Sequence, residues 1–326
     1  GASLTPPDGA RTMPRMKMKY RVGIMPGPWP QGGDGADFLW TLTDLCERTD
    51  IDSIWLSDRL SSPVPTPEVM TTLAAIAART TRLKFGPSVI VLPYRTPVVA
   101  AKEIATVDWL SRGRLFPAVG VGVELPREFE ASGVAFRERG RRTAEAIRVM
   151  RLLWAQDEVS FQGEFYKLDR ITLLPKPWQS PPPIWIGGKS EAAQKRAARL
   201  GDGWMPSFIT PDEFRGGVER VQELAAAEGR EVPADHFGTL VNFALADTPE
   251  RGQALAAPFI PRGRVDESVM RQCVAFGPPE VVAEKIEEYV KGGGSKFILR
   301  PMCPPDMMLD QLARPPADVI PAFHAR

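Results

Sequence analysis

Apolar positions along the chain fall into two alternating patterns, short runs that end in glycine or a polar residue and longer stretches with a period near 3.6. The short runs cover residues 20–25, 53–56, 83–91, 115–121, 184–186, 203–205, 239–245 and 296–299. Helical periodicity covers 37–48, with Phe38, Leu42 and Leu45 on one side, and 67–80, with Pro67 in its first turn. It returns at 98–110, at 139–154 with Ala144, Ile147, Met150 and Trp154 as its inner stripe, and at 191–200, 212–228 and 279–290. Strand, polar loop and helix in this order predict parallel β/α units joined by right-handed crossovers. Eight such strands make a closed (β/α)8 barrel, a TIM barrel of the α/β class, the economical fold. An open α/β sheet with an appended subdomain is the alternative.

Two stretches break the rhythm. Around Gly163 the segment VSFQGEFYKLD reads as a β-hairpin excursion, so residues 157–177 form an insertion. Residues 248–271 are rich in small residues, proline and arginine without a clean period, and read as a possible lid carrying Arg262 and Arg264 over the barrel mouth. The barrel domain is expected over 19–314, behind a flexible segment at 1–18 and ahead of a loosely tied tail at 315–326.

Composition narrows the chemistry. With 41 basic and 40 acidic residues the formal net charge is +1, so nothing favours a nucleic acid or an acidic membrane surface. Cys46, Cys273 and Cys303 are far apart and read as buried thiols, without a disulfide framework. His236 and His324 are the two histidines, too few for a histidine-built metal centre, and His236 reads as structural. Residues 1–18 lack the apolar segment of a secretory signal or a membrane span, so a cytoplasmic location is expected.

Candidate chemistry gathers at the ends of the expected strands. In PPPIWIGGKSEAAQKRAARLGDGWMPS, residues 181–207, a strand meets Gly187 and Gly188, and Ser190 stands at a helix cap position. Two glycines let the backbone approach an anion, and the first-turn N–H groups with the Ser190 hydroxyl can donate to it. The other reading is a plain strand-to-helix turn that needs glycine. The GVG at 120–122 lacks the third glycine of a dinucleotide fingerprint.

Four ordered stretches carry a resemblance: IDSIWLSDR at 51–59, TTRLKFGPSVIVLPYRTPVVAAKEIATVDWLSRGRL at 80–115, AVGVGVELPREFEASGVAFRERGRRTAEAIRVMRLLW at 118–154, and LLPKPWQSPPPIWIGGKSEAAQKRAARLGDGWMP at 173–206. They resemble the bacterial luciferase-like flavin-dependent oxidoreductases, including the branch that uses a deazaflavin coenzyme. The resemblance implies a barrel binding reduced flavin at the C-terminal ends of its strands. FMN-using members oxidise a small organic substrate with oxygen, fed by a separate flavin reductase, whereas the deazaflavin branch transfers a hydride. It also implies a homodimer and, at Ser88 and Val89, a non-prolyl cis peptide behind the ring.

Carried onto this chain, the resemblance implies cofactor contacts at Asp58, Ser88, Val89, Gly122, Gly187, Gly188, Lys189, Ser190 and Trp204, although a large aromatic such as Trp204 more often serves the core. Arg59, Glu124 and Tyr94 are the candidate catalytic residues, and Met25 and Trp29 line the substrate side. Arg59 departs from the deazaflavin branch, which commonly has histidine after Ser-Asp. A guanidinium stays protonated and cannot act as a base, but it can neutralise an anionic flavin or acidic substrate, or pair with Asp58. Glu128 reads as a loop residue held by a neighbouring arginine. Reduced FMN with oxygen is thus the leading expectation, and the deazaflavin coenzyme the alternative. A barrel lyase or isomerase acting on a phosphorylated substrate ranks below both, because Lys84 stands at a strand start.

Overall fold

The computed structural model describes residues 20–30, 34–123, 125–260 and 267–324. Strands β1 (Arg21–Ile24), β2 (Ser53–Leu56) and β3 (Lys84–Pro87) alternate with helices α1 (Asp34–Arg48) and α2 (Val69–Arg79). The short β4 (Ile90–Val91) follows, then α3 (Pro97–Ser111), β5 (Ala118–Gly120), α4 (Pro126–Ala131) and α5 (Arg139–Ala155). The hairpin β6 (Val159–Gln162) and β7 (Lys167–Ile171) precedes β8 (Trp185–Gly187), α6 (Glu191–Leu200), β9 (Gly203–Met205) and α7 (Pro211–Ala227). The remainder is β10 (Gly238–Leu245), α8 (Pro249–Ala256), α9 (Glu267–Cys273), β11 (Val274–Gly277), α10 (Pro279–Lys291), β12 (Lys296–Pro301), α11 (Met308–Ala313), α12 (Pro315–Asp318) and α13 (Pro321–His324).

Parallel pairing runs β10, β12, β1, β2, β3 in one sheet and β4, β5, β8, β9 in the other. Single parallel bridges from Phe85 to Leu115 and from Trp204 to Phe237 join the two. With β4 continuing β3, the result is a ring of eight parallel strands, the (β/α)8 barrel. Alternate strand residues point inward, where Met25, Trp55, Ala118, Trp185, Met205, Leu240 and Ile298 form the barrel's interior core. The residues between them, including Val22, Ile54, Phe85, Val119, Ile186, Val241 and Phe297, pack beneath the helices.

The helices begin where side chains satisfy their free N–H groups. Thr96 caps α3 ahead of Pro97, Ser190 caps α6, and Thr210 with Glu213 forms a capping box on α7. At α2 the first-turn role expected of Pro67 belongs elsewhere: Glu68 is the cap, and its carboxylate accepts from Met70 N and Thr71 N. In α5 Ile147, Met150 and Trp154 are buried as expected, while Ala144 is half-buried and Thr143 and Ala146 take its place.

Several elements depart from the periodicity. The polar loop after β5 contains α4, which buries Glu128 and Phe129. A ninth parallel strand, β11, pairs Asn242–Leu245 with Val274–Gly277 along the half of β10 that runs past β9. It covers an edge that would otherwise be exposed. Within 248–271, α8 packs against β10 and β11 through Gly252, while Arg262 and Arg264 lie outside the described residues. The loosely tied tail is corrected: Val319, Ile320 and Phe323 are buried, and Phe323 meets Tyr20 edge to face at 6.4 Å. Apolar residues spaced along short helices hold this segment on the barrel. Residues 1–19, which contain the expected flexible segment, lie outside the described residues.

Candidate active site at the C-terminal mouth of the barrel

A cavity of about 640 Å³ opens at the C-terminal ends of the strands. Its floor is built by a close approach of three residues. Val89 lies between Gly120 and Gly187, and a Cβ added to either glycine would fall 2.5 Å from a Val89 methyl. Any larger residue on β5 or β8 would therefore drive Val89 into the cavity. The Ser88–Val89 peptide is cis. Met25, Met205 and Leu240 continue the floor as apolar surface, and Val91 and Trp29 stand on the walls. Trp29 is itself fixed edge-on against Phe38 at 5.3 Å.

At the end of β8 the chain turns through Gly188, whose φ of 98° is open to glycine and strained for other residues. Gly187, Gly188 and Lys189 face the cavity, and the first turn of α6 lies directly behind them. Ser190 accepts from Ala193 N at 3.3 Å as the helix cap. Trp204 does not reach the cavity. It is fully buried, stacks on Phe214 at 5.7 Å, and donates its indole N–H to Gly188 O at 2.9 Å. Its place among the cofactor contacts is therefore corrected to a strut that fixes the glycine turn. The ring turns away onto Phe214 on α7, which Tyr289 on α10 in turn meets edge to face at 5.6 Å.

The opposite wall holds a hydrogen-bonded carboxylate. Glu128, on α4, is 3 % exposed and accepts from Arg59 Nε at 2.9 Å, Ser61 N at 3.1 Å and Tyr94 Oη at 2.7 Å. Burial pushes its carboxyl up, but the bonds from Tyr94, Arg59 and Ser61 outweigh that and hold it below the usual range. Burial and the neighbouring carboxylate raise the Tyr94 phenol well above its ordinary value. Tyr94 is thus a fixed phenol and Glu128 a fixed carboxylate. Neither an Arg59–Asp58 pair nor a sequence-adjacent arginine on Glu128 is what forms: Arg59, 69 residues earlier in the chain, reaches Glu128.

Asp58 borders the cavity but turns its charge inward. It accepts from Val91 N at 2.8 Å and from both amino groups of Arg95, at 2.6 and 3.2 Å. Arg95 also binds Glu68 at 2.7 Å. Both Asp58 oxygens are consumed in locking the loop after β4 to the end of β2, so a positioning role fits better than the expected cofactor contact. Gly122, with φ 78°, lies where a Cβ would meet Val91, Phe129 and the Tyr94 hydroxyl. Glu124 lies outside the described residues.

Sequence reading passed over Arg95, Phe208 and Arg300, and the last two line the cavity. For Arg300 the signal was present: β12 alternates Lys296, Ile298 and Arg300 on one face, and Ile298 is an interior residue. His236 sits at the other end of the barrel, with its Nδ1 2.6 Å from Asp202 O. Among the described residues no group of acids, histidines and cysteines is arranged to hold a metal ion, and no helix is long and apolar enough to cross a membrane.

Comparison with known proteins agrees with this geometry. The chain is 34 % identical over 197 residues to the FMNH2-dependent dimethylsulfone monooxygenase of Pseudomonas putida, covering 59 % of this chain and 53 % of that protein. It is 35 % identical over 167 residues to the F420-dependent glucose-6-phosphate dehydrogenase of Kineococcus radiotolerans, covering 49 % of each. The chain thus spans about half the length of these two curated relatives. The monooxygenase RslO1 of Streptomyces bottropensis shares the fold with a TM-score of 0.81 at 22 % identity, over 93 % of this chain and 99 % of that one. Residues 16–268 match the family described as luciferase-like monooxygenase, and the chain belongs to that family.

Proposed function

We propose that the mouth of the barrel binds reduced FMN and that the protein is a monooxygenase oxidising a small organic substrate. Bound there, reduced FMN together with oxygen supplies the oxidising power. Gly187, Gly188 and the first turn of α6 fit the phosphate: the turn leaves room a Cβ would take, and the N-terminus of α6, the positive end of its dipole, follows directly. Lys189 adds positive charge at that end, drawn partly toward Glu213 at 3.3 Å. Val89, set between Gly120 and Gly187, gives the ring an apolar bed, and Met25, Met205 and Leu240 keep water from it. Tyr94, fixed as a phenol by Glu128, supplies a hydrogen-bonding oxygen on the opposite wall. Arg59 supplies a fixed positive charge beside it.

The observation that carries the choice of FMN is the want of a free base among the described cavity residues. Taking a hydride from an alcohol requires a group that accepts the hydroxyl proton. Among the described cavity residues there is no histidine. Asp58 is committed to Arg95, and Glu128 is held ionised by three donors. Monooxygenation places its demand on the cofactor and a dry pocket, which these residues supply. The lower-ranked lyase reading finds Lys84 and Lys296 at the N-terminal end of the barrel against Asp52, and the cavity's Lys189 drawn toward Glu213 at 3.3 Å.

Anaerobic spectral titration with reduced FMN and with the reduced deazaflavin coenzyme tests this. Reduced FMN should bind saturably and at least tenfold more tightly, and the complex should consume oxygen when a flavin reductase keeps it supplied. Tight binding of the deazaflavin alone would replace this reading with hydride transfer.

A further inference from the structure

The charged residues on the cavity wall are, among those described, Asp58, Arg59, Glu128, Lys189 and Arg300. Four of them have an ion-pair partner within the protein, Asp58 with Arg95, Arg59 and Glu128 with each other, and Lys189, more loosely at 3.3 Å, with Glu213. Arg300 is the exception. It has no ion pair and no side-chain hydrogen bond among the described residues, and its Nε is buried without a partner. Burial depresses its pKa with no acid opposing.

Beside it on β10 stands Asn242, its register partner. Inward alternation from Leu240 and Ile298 puts both residues on the interior face of the barrel, one layer above the core. Asn242 is fully buried, and neither its amide nitrogen nor its oxygen has a hydrogen-bond partner among the described residues. Where a structural ion pair would have aspartate, the chain has its neutral isostere. The guanidinium, half-buried on the cavity wall with its Nε enclosed, is left without a counter-ion among the described residues, and an anionic ligand in the cavity would supply one. β12 and β8 lie three strands apart around the ring of eight, so Arg300 is not part of the glycine turn assigned to the flavin phosphate.

We propose that Arg300 is the receptor for a carboxylate on the organic substrate, whose apolar body lies along Met25, Trp29, Phe208 and Leu240. The planar guanidinium fork matches a carboxylate with two parallel hydrogen bonds. The apolar lining beside it selects an organic acid over a small inorganic ion. This rests on the flavin reading only for what happens to the substrate after it binds. The anion receptor itself follows from the unpaired charge.

The test is calorimetric titration of benzoate, butyrate, benzamide and inorganic phosphate at constant ionic strength, with and without saturating FMN. Wild type is compared with Arg300→Gln, Arg300→Lys and Asn242→Asp, and FMN affinity is measured separately for each. Expected are saturable binding of benzoate or butyrate, no comparable binding of benzamide, and at least tenfold weaker carboxylate binding in Arg300→Gln, with partial recovery in Arg300→Lys. Asn242→Asp gives Arg300 an internal counter-ion, so it should also lose carboxylate affinity at least tenfold without lowering Tm, which covers the case where Arg300→Gln folds poorly. FMN affinity should stay within threefold throughout. Carboxylate binding that is unchanged in Arg300→Gln and Asn242→Asp, or absent from wild type, overturns the proposal. So does equal binding of benzamide, tighter Arg300-dependent binding of phosphate, or a parallel loss of FMN affinity. Arg300-dependent carboxylate binding by a protein that takes up no flavin leaves the receptor standing and removes the flavin reading instead.

Discussion

At the N-terminal end of the barrel Asp52 sits between two lysines, 2.9 Å from Lys84 Nζ and 3.1 Å from Lys296 Nζ. Trp55 and Phe116 lie over Lys296 at 5.3 and 4.9 Å, so the ammonium is enclosed by a carboxylate and two aromatic faces. Burial brings Lys296 down to about 8 against the pull of Asp52. It also works to raise Asp52, yet the two lysines hold that carboxyl far below the usual range. At the C-terminal end Glu128 gathers Arg59, Tyr94 and Ser61 around an open cavity, and Arg300 is left unmatched among the described residues. The same buried ionic chemistry closes one end as a plug and arranges the other as a receptor. Stability and function are thereby separated along the barrel axis, as expected for β/α barrels whose chemistry lies at strand C-termini.

The comparison breaks most visibly at the plug. Asp52→Ala strands Lys296, 1 % exposed, without a counter-ion, and should cost about 3–5 kcal/mol in urea unfolding. Flavin affinity of the remaining folded protein should be unchanged, because no flavin contact is assigned at that end. A loss of less than about 1 kcal/mol would show that the lysines find other partners.

At the other end, Gly187→Val should reverse the pattern. Its side chain collides with Val89, so FMN affinity should fall by roughly 100-fold, about 2.7 kcal/mol. Unfolding free energy should drop by less than that, on the order of 1–2 kcal/mol for a strained but relaxable contact. Titration of FMN into the folded variant at low temperature reads this directly.

A smaller effect sharpens the comparison through pH. Glu128 has a folded-state pKa below its ordinary 4.5, so the stability it contributes is present above that value and is lost as pH falls through the folded one. Glu128→Gln should cost about 1–2 kcal/mol at neutral pH, within the range for a charge-assisted hydrogen bond, and should flatten the acid limb of the stability curve. Asp52, held by lysines, should account for the part of the acid limb that the variant retains. An unaltered slope below about pH 4.5 in Glu128→Gln would mean that its carboxylate is not stabilised by these contacts.

How far the sequence reveals this division depends on the range over which each feature is encoded. The strands at Ser53–Leu56 and Gly203–Met205 and the helix at Glu191–Leu200 are local patterns of hydrophobicity and caps, and they read out with their boundaries. The glycine turn was legible for the same reason, since turn, cap and helix lie within a few residues. The strand Val274–Gly277 was missed because four residues following an aperiodic stretch carry no alternation of their own, and the open edge of β10 calls it into the sheet. Glu128 and Arg59, or Asp58 and Arg95, are paired by the closure of the ring, and nothing near either residue names its partner. Trp204 was ambiguous because it stacks on Phe214, which Tyr289 meets in turn, and both arrive later in the chain.

The most direct test of the barrel mouth as a flavin site is an anaerobic titration of the wild-type protein with reduced FMN and with reduced riboflavin, which has the same ring but no phosphate. With the phosphate seated on Gly187, Gly188 and the first turn of α6, FMN should bind at least 100-fold more tightly, a difference of about 2.7 kcal/mol. Equal affinities for the two would contradict that assignment, and no binding of either would remove the flavin from the cavity altogether.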